Sequence, residues 1–173
     1  MSEADIQGLV QLAVSTFGPG MSAEEVKEHI LPVDRLYVAR DNGAIVGFAS
    51  LNFSPDFSYL AGTAVHPKKQ GSGLYHDFAK ERILDSLEKG LEKIKTRTQN
   101  PIIEHTLRNS FACLVQEKII ENFSFHRELL EGLYGRMLTK AIPKSRDMEV
   151  NNAYSSLNYA RGDAFMLSFE VKR

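Results

Sequence analysis

An apolar run from Tyr59 to Val65 stops at Pro67, a basic pair follows at Lys68 and Lys69, and Gly71 and Gly73 then lead directly into a helical pattern. No other stretch restricts the architecture of the chain as strongly. The run has the length of one buried strand, the proline ends it, and the residues after Gly73 have the spacing of a helix packed on one side. Two glycines separated by one residue let the backbone curl without Cβ clashes. A chain that turns in this way into a helix directs several free backbone N–H groups to one point, at the positive end of the helix dipole. A phosphate or pyrophosphate suits that point. The plain alternative is a glycine turn that binds nothing.

Other phosphate-loop patterns do not fit. The dinucleotide fingerprint G-x-G-x-x-G lacks its third glycine here, and the P-loop run G-x-x-x-x-G-K-[ST] is absent. The segment resembles motif A of the GNAT superfamily, the Gcn5-related N-acetyltransferases, whose pattern is V-x-P-x-x-[QR]-x-x-G-x-[GA]. Val65, Pro67, Gln70 and Gly73 match in register, and Tyr75 stands where a small residue is usual. The resemblance implies acetyl-coenzyme A as cofactor, with its pyrophosphate cradled by Gln70, Gly71, Ser72, Gly73, Leu74 and Tyr75. It implies that the backbone of Thr63, Ala64 and Val65 pairs with the pantetheine amides, where the sheet splays; without a ligand these residues would pair with a neighbouring strand. Asn100 matches the asparagine that opens the family's second cofactor helix and contacts the pantetheine arm. It is equally well placed to cap a helix ahead of Pro101.

The flanking pattern agrees with this reading. Ala4 to Phe17 has helical spacing, Gly18-Pro19-Gly20 breaks it, and Ser22 with Glu25 has capping-box spacing for a second helix ending near Leu31-Pro32. Leu36–Arg40 and Ala44–Phe53 read as strands joined by the turn Asp41-Asn42-Gly43. The third strand is Tyr59–Val65, the helix after the glycine loop runs to about Lys93, and Ile94–Thr98 is a short strand before the helix at Pro101. Beyond it, Leu114–Phe125 reads as helix, Leu129–Leu138 as a strand, Asp147–Tyr159 as helix and Asp163–Val171 as a last strand. The expected class is α/β, with a mixed, mostly antiparallel central sheet flanked by helices. This order resembles the GNAT acyl-CoA N-acyltransferase fold over about residues 4–111. Residues 112–173 form an elaborated part of the same single domain, expected to shape the acceptor side or a homodimer contact.

The net charge of −1 argues against nucleic acid or an anionic membrane as partner, and no apolar run reaches the roughly 20 residues a span needs. The single cysteine, Cys113, excludes an intrachain disulfide; it reads as a buried small hydrophobe, and a cytoplasmic location is expected. The five histidines lack metal-ligand spacing, so no metal is expected.

What the resemblance implies chemically is acetyl transfer to a primary amine of a small molecule or peptide. The amine must lose a proton, and the leaving thiolate benefits from a donor. The family's usual tyrosine, seven residues after the asparagine, is Leu107 here, and Tyr59–Val65 carries no carboxylate. The remaining candidates are Glu104, on the same helix face as Asn100, His105, whose ordinary pKa suits a base, and Tyr134, a phenol on the proposed later strand. Their bland readings are solvated helix positions for the first two and core for the third. A non-catalytic coenzyme A-binding sensor or assembly module is the alternative function. Transfer of a longer acyl chain is a third, its cleft width set at Gly62 and the loop from Phe17 to Met21.

Overall fold

The computed structural model describes residues 2–17, 24, 27–28, 32–138 and 141–173. In chain order they form α1 (Glu3–Phe17), β1 (Arg35–Asp41), β2 (Ala44–Phe53), β3 (Ser58–Val65), a 3-10 turn (Pro67–Lys69), α2 (Leu74–Glu88), β4 (Lys93–Thr98), α3 (Pro101–Gln116), β5 (Asn122–Leu130), α4 (Met148–Tyr154) and β6 (Ala164–Lys172). Most of the second helix predicted from Ser22, and most of the loop from Phe17 to Met21, lie outside the described residues.

The strands make one sheet in the order β1-β2-β3-β4-β6-β5. All neighbours are antiparallel except β3 and β4, so the predicted mixed, mostly antiparallel class holds. The β1–β2 turn works because Asn42 and Gly43 both take positive φ. Leu9, Leu12 and Ala13 of α1 pack with Phe48 and Ala64 on one face of β2 and β3. On the other face Ala79 and Ile83 of α2 and Leu107 and Phe111 of α3 share a core with Leu60, Ile94 and Leu167. The Phe111 ring stacks on Phe169 of β6 at 4.4 Å between centroids. Burying each such side chain contributes about 1.5–3 kcal/mol. No described helix is long and apolar enough to cross a membrane.

Several predicted boundaries change. α2 stops at Glu88, short of Lys93, because Gly90 turns left-handed and the Leu91 N–H closes back on the Ser86 carbonyl. The segment read as a helix from Leu114 to Phe125 divides. α3 ends at Gln116, Lys118 takes positive φ, and β5 begins at Asn122. Its alternation of Phe123, Phe125 and Arg127 with Ser124, His126 and Glu128 has the period of a strand, and β6 supplies the partner. The strand predicted over Leu129–Leu138 is absent, since Gly132 and Gly135 both take positive φ and residues 131–134 turn. Tyr134 therefore sits in a loop. The helix expected from Asp147 to Tyr159 ends at Tyr154, with Asp147 as its cap. The last strand forms as predicted, with Phe165, Leu167, Phe169 and Val171 buried on one face. Cys113 is half-buried, not fully buried as its apolar surroundings suggested.

Candidate active site

Two irregularities open the sheet beside the glycine loop. Ala49 pairs with Thr63 and Leu51 with Leu60, so Ala61 and Gly62 together stand opposite Ser50. One extra residue on β3 makes a bulge, which bends the strand and raises its twist. β4, on the other side, pairs with β3 only at Ser58↔Ile94 and Tyr59↔Lys95. From Leu60 onward the two parallel strands part, and the rest of β3 has no strand on its β4 side.

Three hydrogen bonds hold this opening. Thr96 Oγ1 donates to the Leu60 carbonyl at 2.8 Å, Ser50 Oγ to the Gly62 carbonyl at 3.1 Å, and Arg82 Nη1 to the Ser50 carbonyl at 3.3 Å. Arg82 is 1% exposed and also donates through Nε to the Phe78 carbonyl, while its Nη2 has no hydrogen-bond partner among the described residues. Burial pulls its pKa down, and neighbouring Tyr75 and Tyr37 pull the other way. The sequence reading missed this residue. A signal was present, since Arg82 lies four positions after Phe78 and directly before Ile83, inside the buried stripe of α2.

The glycine loop has the geometry of an anion cradle. Gly73 caps α2 in the left-handed region with φ 92° and supplies no side-chain acceptor to the first turn. The first-turn N–H groups of α2 therefore lack intrahelical partners and point out of the helix end. A Cβ at Gly71 or Gly73 would meet nothing within 4 Å, so the space over the loop is open. Gln70 Nε2 donates to the Val65 carbonyl at 3.2 Å and ties the loop back to the strand. Lys69 reaches Asp41 at 2.6 Å. Gly47 lets the helix start approach β2, because a Cβ there would lie 2.9 Å from both Leu74 Cδ2 and Phe78 Cε2. The bulk of Tyr75 turns inward, packing against both core clusters that flank α2, and burial raises its pKa. It does not crowd the loop.

The sequence model of the Acetyltransferase (GNAT) family matches residues 7–101. The chain belongs to this family. As a GNAT-type acyltransferase it uses acetyl-coenzyme A, and the residues fit that group: an uncapped helix start, an open cradle and a parted sheet lie side by side. Among solved structures, the chain is similar to the ribosomal-protein-S18-alanine N-acetyltransferase from Escherichia coli, with TM-score 0.62 and 14% identity, covering 100% of this chain and 92% of that one. It is similar to Ard1 from Thermoplasma volcanium, with TM-score 0.60 and 12% identity over 100% and 95% of the two chains. It is also similar to a GNAT family acetyltransferase from Elizabethkingia anophelis with acetyl-CoA bound, with TM-score 0.55 and 19% identity over 92% and 88%. At these identities the likeness is one of fold. No curated protein sequence matches the chain.

The three side chains considered for proton transfer are not brought together in this GNAT domain. Glu104 is fully buried between α3 and β5, where its carboxylate accepts from Arg127 Nε at 2.8 Å and Nη2 at 2.5 Å. It is not the solvated position its helix pattern suggested. His105 faces α4, with Nδ1 3.9 Å from Asp147 and Nε2 3.1 Å from Asn109 Nδ2. Tyr134 lies near the parted strands: its ring stacks by Arg97 at 5.8 Å and its hydroxyl lies 3.4 Å from the Arg97 carbonyl. Burial pushes its pKa up to about 12, with Tyr59 adding to the rise. Leu107 is fully buried in the core. Asn100 caps α3, its Oδ1 accepting from the Ile102 N–H at 2.9 Å. Among the described residues, no group of three or more His, Cys, Asp or Glu side chains is placed to hold a metal.

The loop that carries Tyr134 is tied down by two buried residues. Gln99 Nε2 donates to the Asp163 and Arg136 carbonyls at 2.9 and 3.2 Å, and its Oε1 accepts from the Leu138 N–H at 2.9 Å. The Asp163 carboxylate accepts from the N–H groups of Gly132 and Asn158 at 2.9 and 3.0 Å, and from Arg161 Nε at 2.6 Å. The Arg161 hydrogen bonds, followed by those backbone donors, hold the Asp163 carboxyl far below its ordinary 3.8. A depressed carboxyl pKa stabilises the fold fully above the unfolded value and loses that effect as the pH falls toward the folded one. Denaturation midpoints measured from pH 7 to pH 3 are therefore expected to fall below about pH 4. Asp163→Asn should flatten that fall, and an unchanged profile would remove this carboxylate as its source.

Proposed function

We propose that this protein transfers the acetyl group of acetyl-coenzyme A to a primary amine of a small molecule or peptide. One observation carries the reading: the uncapped start of α2 and the parting of β3 from β4 occur at the same end of β3. When bound, acetyl-coenzyme A supplies the activated thioester. Residues Gln70 to Tyr75 would hold its pyrophosphate through backbone N–H groups, and the backbone of Thr63 to Val65, beyond the last pair with β4, would orient the pantetheine. Asn100 spends its carbonyl oxygen as a helix cap and keeps its side-chain NH2 free to donate to that arm. Capping and cofactor contact are compatible.

For the proton transfers, position favours Tyr134 over the other candidates. A half-buried phenol with a raised pKa is protonated at neutral pH and can donate to the departing thiolate. Both carboxylate oxygens of Glu104 are committed to Arg127, and His105 faces α4. With no carboxylate on β3, the amine loses its proton through water. The likeness to a ribosomal-protein-alanine N-acetyltransferase supports a peptide amine as one acceptor class.

The test follows thiol release from acetyl-coenzyme A across a panel of small amines and peptides. Tyr134→Phe is expected to lower kcat about tenfold or more while leaving acetyl-coenzyme A affinity unchanged. A variant that turns over at the wild-type rate would exclude the Tyr134 role. The buried Leu107 in place of the family tyrosine and the absence of a carboxylate on β3 favour a second reading, a coenzyme A-binding sensor or assembly module. Calorimetric binding of acetyl-coenzyme A with no acetylation of any amine on the panel would select it.

A further inference from the structure

The face of β4, β6 and β5 turned away from α2 and α3 is polar. Along β4, Ile94, Thr96 and Thr98 are buried toward the helices, so Lys93, Lys95 and Arg97 point to the opposite side. Register continues the pattern across the sheet: Lys95 lies opposite Ser168, which lies opposite His126, and Arg97 lies opposite Met166, which lies opposite Glu128. A depression of about 270 Å³ opens between Lys95, Ser168 and His126.

Two of the cations on this face are set apart from ordinary surface charges. The Lys95 ammonium stands 4.6 Å from the Phe57 ring centroid. The Arg97 guanidinium lies between two tyrosines, 5.9 Å from Tyr59 and 5.8 Å from Tyr134. Among the described residues neither Lys95 nor Arg97 forms an ion pair, whereas Lys93 pairs with Glu170 at 2.9 Å. Tyr59 is the last β3 residue paired with β4, so the two tyrosines and Arg97 border the parted strands. The glycine loop opens α2, which covers the other face of the sheet. Arg97 therefore stands at the mouth opposite the donor site.

An arginine steadied by aromatic rings has lost much of its rotamer freedom already, and its planar fork matches a carboxylate through two parallel hydrogen bonds. Lys93, Lys95, Arg97 and Lys172 share this face with Glu128 and Glu170, an excess of positive charge that suits an anionic group. We propose that Arg97, assisted by Lys95, recognises a carboxylate on the acceptor, so that the substrate is an amine that also carries a carboxylate. This rests on the transferase reading above.

The experiment uses matched acceptors: β-alanine against its amide, and an aspartyl against an asparaginyl peptide, both with amidated C-termini. Thiol release is measured with the wild type, Arg97→Met and Arg97→Lys. The wild type is expected to show a KM about tenfold or more lower for the carboxylate member of a pair. Arg97→Met should abolish that preference while leaving acetyl-coenzyme A affinity unchanged, and Arg97→Lys should restore part of it. The pair that responds identifies a small or a peptide acceptor. Equal effects on charged and neutral members, or a wild type that prefers the neutral amine, overturns the proposal. Acetylation of no acceptor at all would count against the transferase reading instead. Recognition is then read by calorimetric titration of the same four compounds into protein saturated with coenzyme A, where equal affinity for charged and neutral members overturns it.

Discussion

Gly73→Arg is expected to lower the affinity for acetyl-coenzyme A by at least about a hundredfold. Each hydrogen bond from a backbone N–H to a charged group is worth about 1.5–3 kcal/mol, and losing two or more removes about two decades of affinity. The side chain would project into the open space over the loop, where a Cβ meets nothing within 4 Å and where we propose that the pyrophosphate sits. The fold should tolerate it. Forcing an ordinary residue to φ 92° costs of order 1–3 kcal/mol, which shifts the midpoint of a domain this size by roughly 2–12 °C. Calorimetric titration of the folded variant, with a circular dichroism melt beside it, separates the two effects. Wild-type affinity in a folded variant would remove the glycine loop from the donor site.

Glu104→Ala is expected to cost about 2–4 kcal/mol of stability, slightly less than the roughly 3–5 kcal/mol of a fully buried pair, because 21% of the Arg127 side chain remains exposed. The mechanism is an uncompensated charge. Without Glu104 the Arg127 guanidinium is left 5.5 Å from the Phe125 ring and 5.7 Å from Phe165, with no bidentate partner. The Tyr154 hydroxyl, buried near Glu104 with its pKa pushed up by that burial and by the carboxylate, has no hydrogen-bond partner among the described residues. The midpoint should fall by roughly 4–16 °C. Combining Glu104→Leu with Arg127→Met should recover much of the loss, because two apolar residues of similar volume leave no orphan charge. A midpoint within 2 °C of wild type would mean that the pair does not hold α3 to β5. An activity loss in Glu104→Gln without any loss of stability would return Glu104 to the list of proton-transfer groups.

Local chemistry was readable from the chain wherever neighbours in sequence sufficed. Asn42-Gly43 specified its hairpin, Asn100-Pro101 its helix start, and Phe165, Leu167, Phe169 and Val171 their buried face, because turn angles and side-chain periods are properties of short segments. The glycine loop belongs to the same class: Gly71 and Gly73 curl the backbone with no help from distant residues. Readings failed where partners lie far apart. Phe123 and Phe125 became strand because β6 was there to pair with them, against a helical reading of the same residues. Glu104 looked solvated because Arg127 is 23 residues away along the chain.

The site divides in the same way. The proposed pyrophosphate site was written into eleven consecutive residues from Val65 to Tyr75, since backbone N–H groups at a helix start need only local geometry to converge. The opening proposed for the thioester was not. It arises from a bulge at Ala61–Gly62, from hydrogen bonds that Ser50, Arg82 and Thr96 send to it across 12 to 36 positions, and from a ladder with β4 that stops after two pairs. The acceptor-side grouping of Tyr59, Arg97 and Tyr134 likewise exists only once three separate segments meet at one sheet edge. Strand divergence and non-local packing depend on what each segment finds beside it, and a linear pattern carries no record of that.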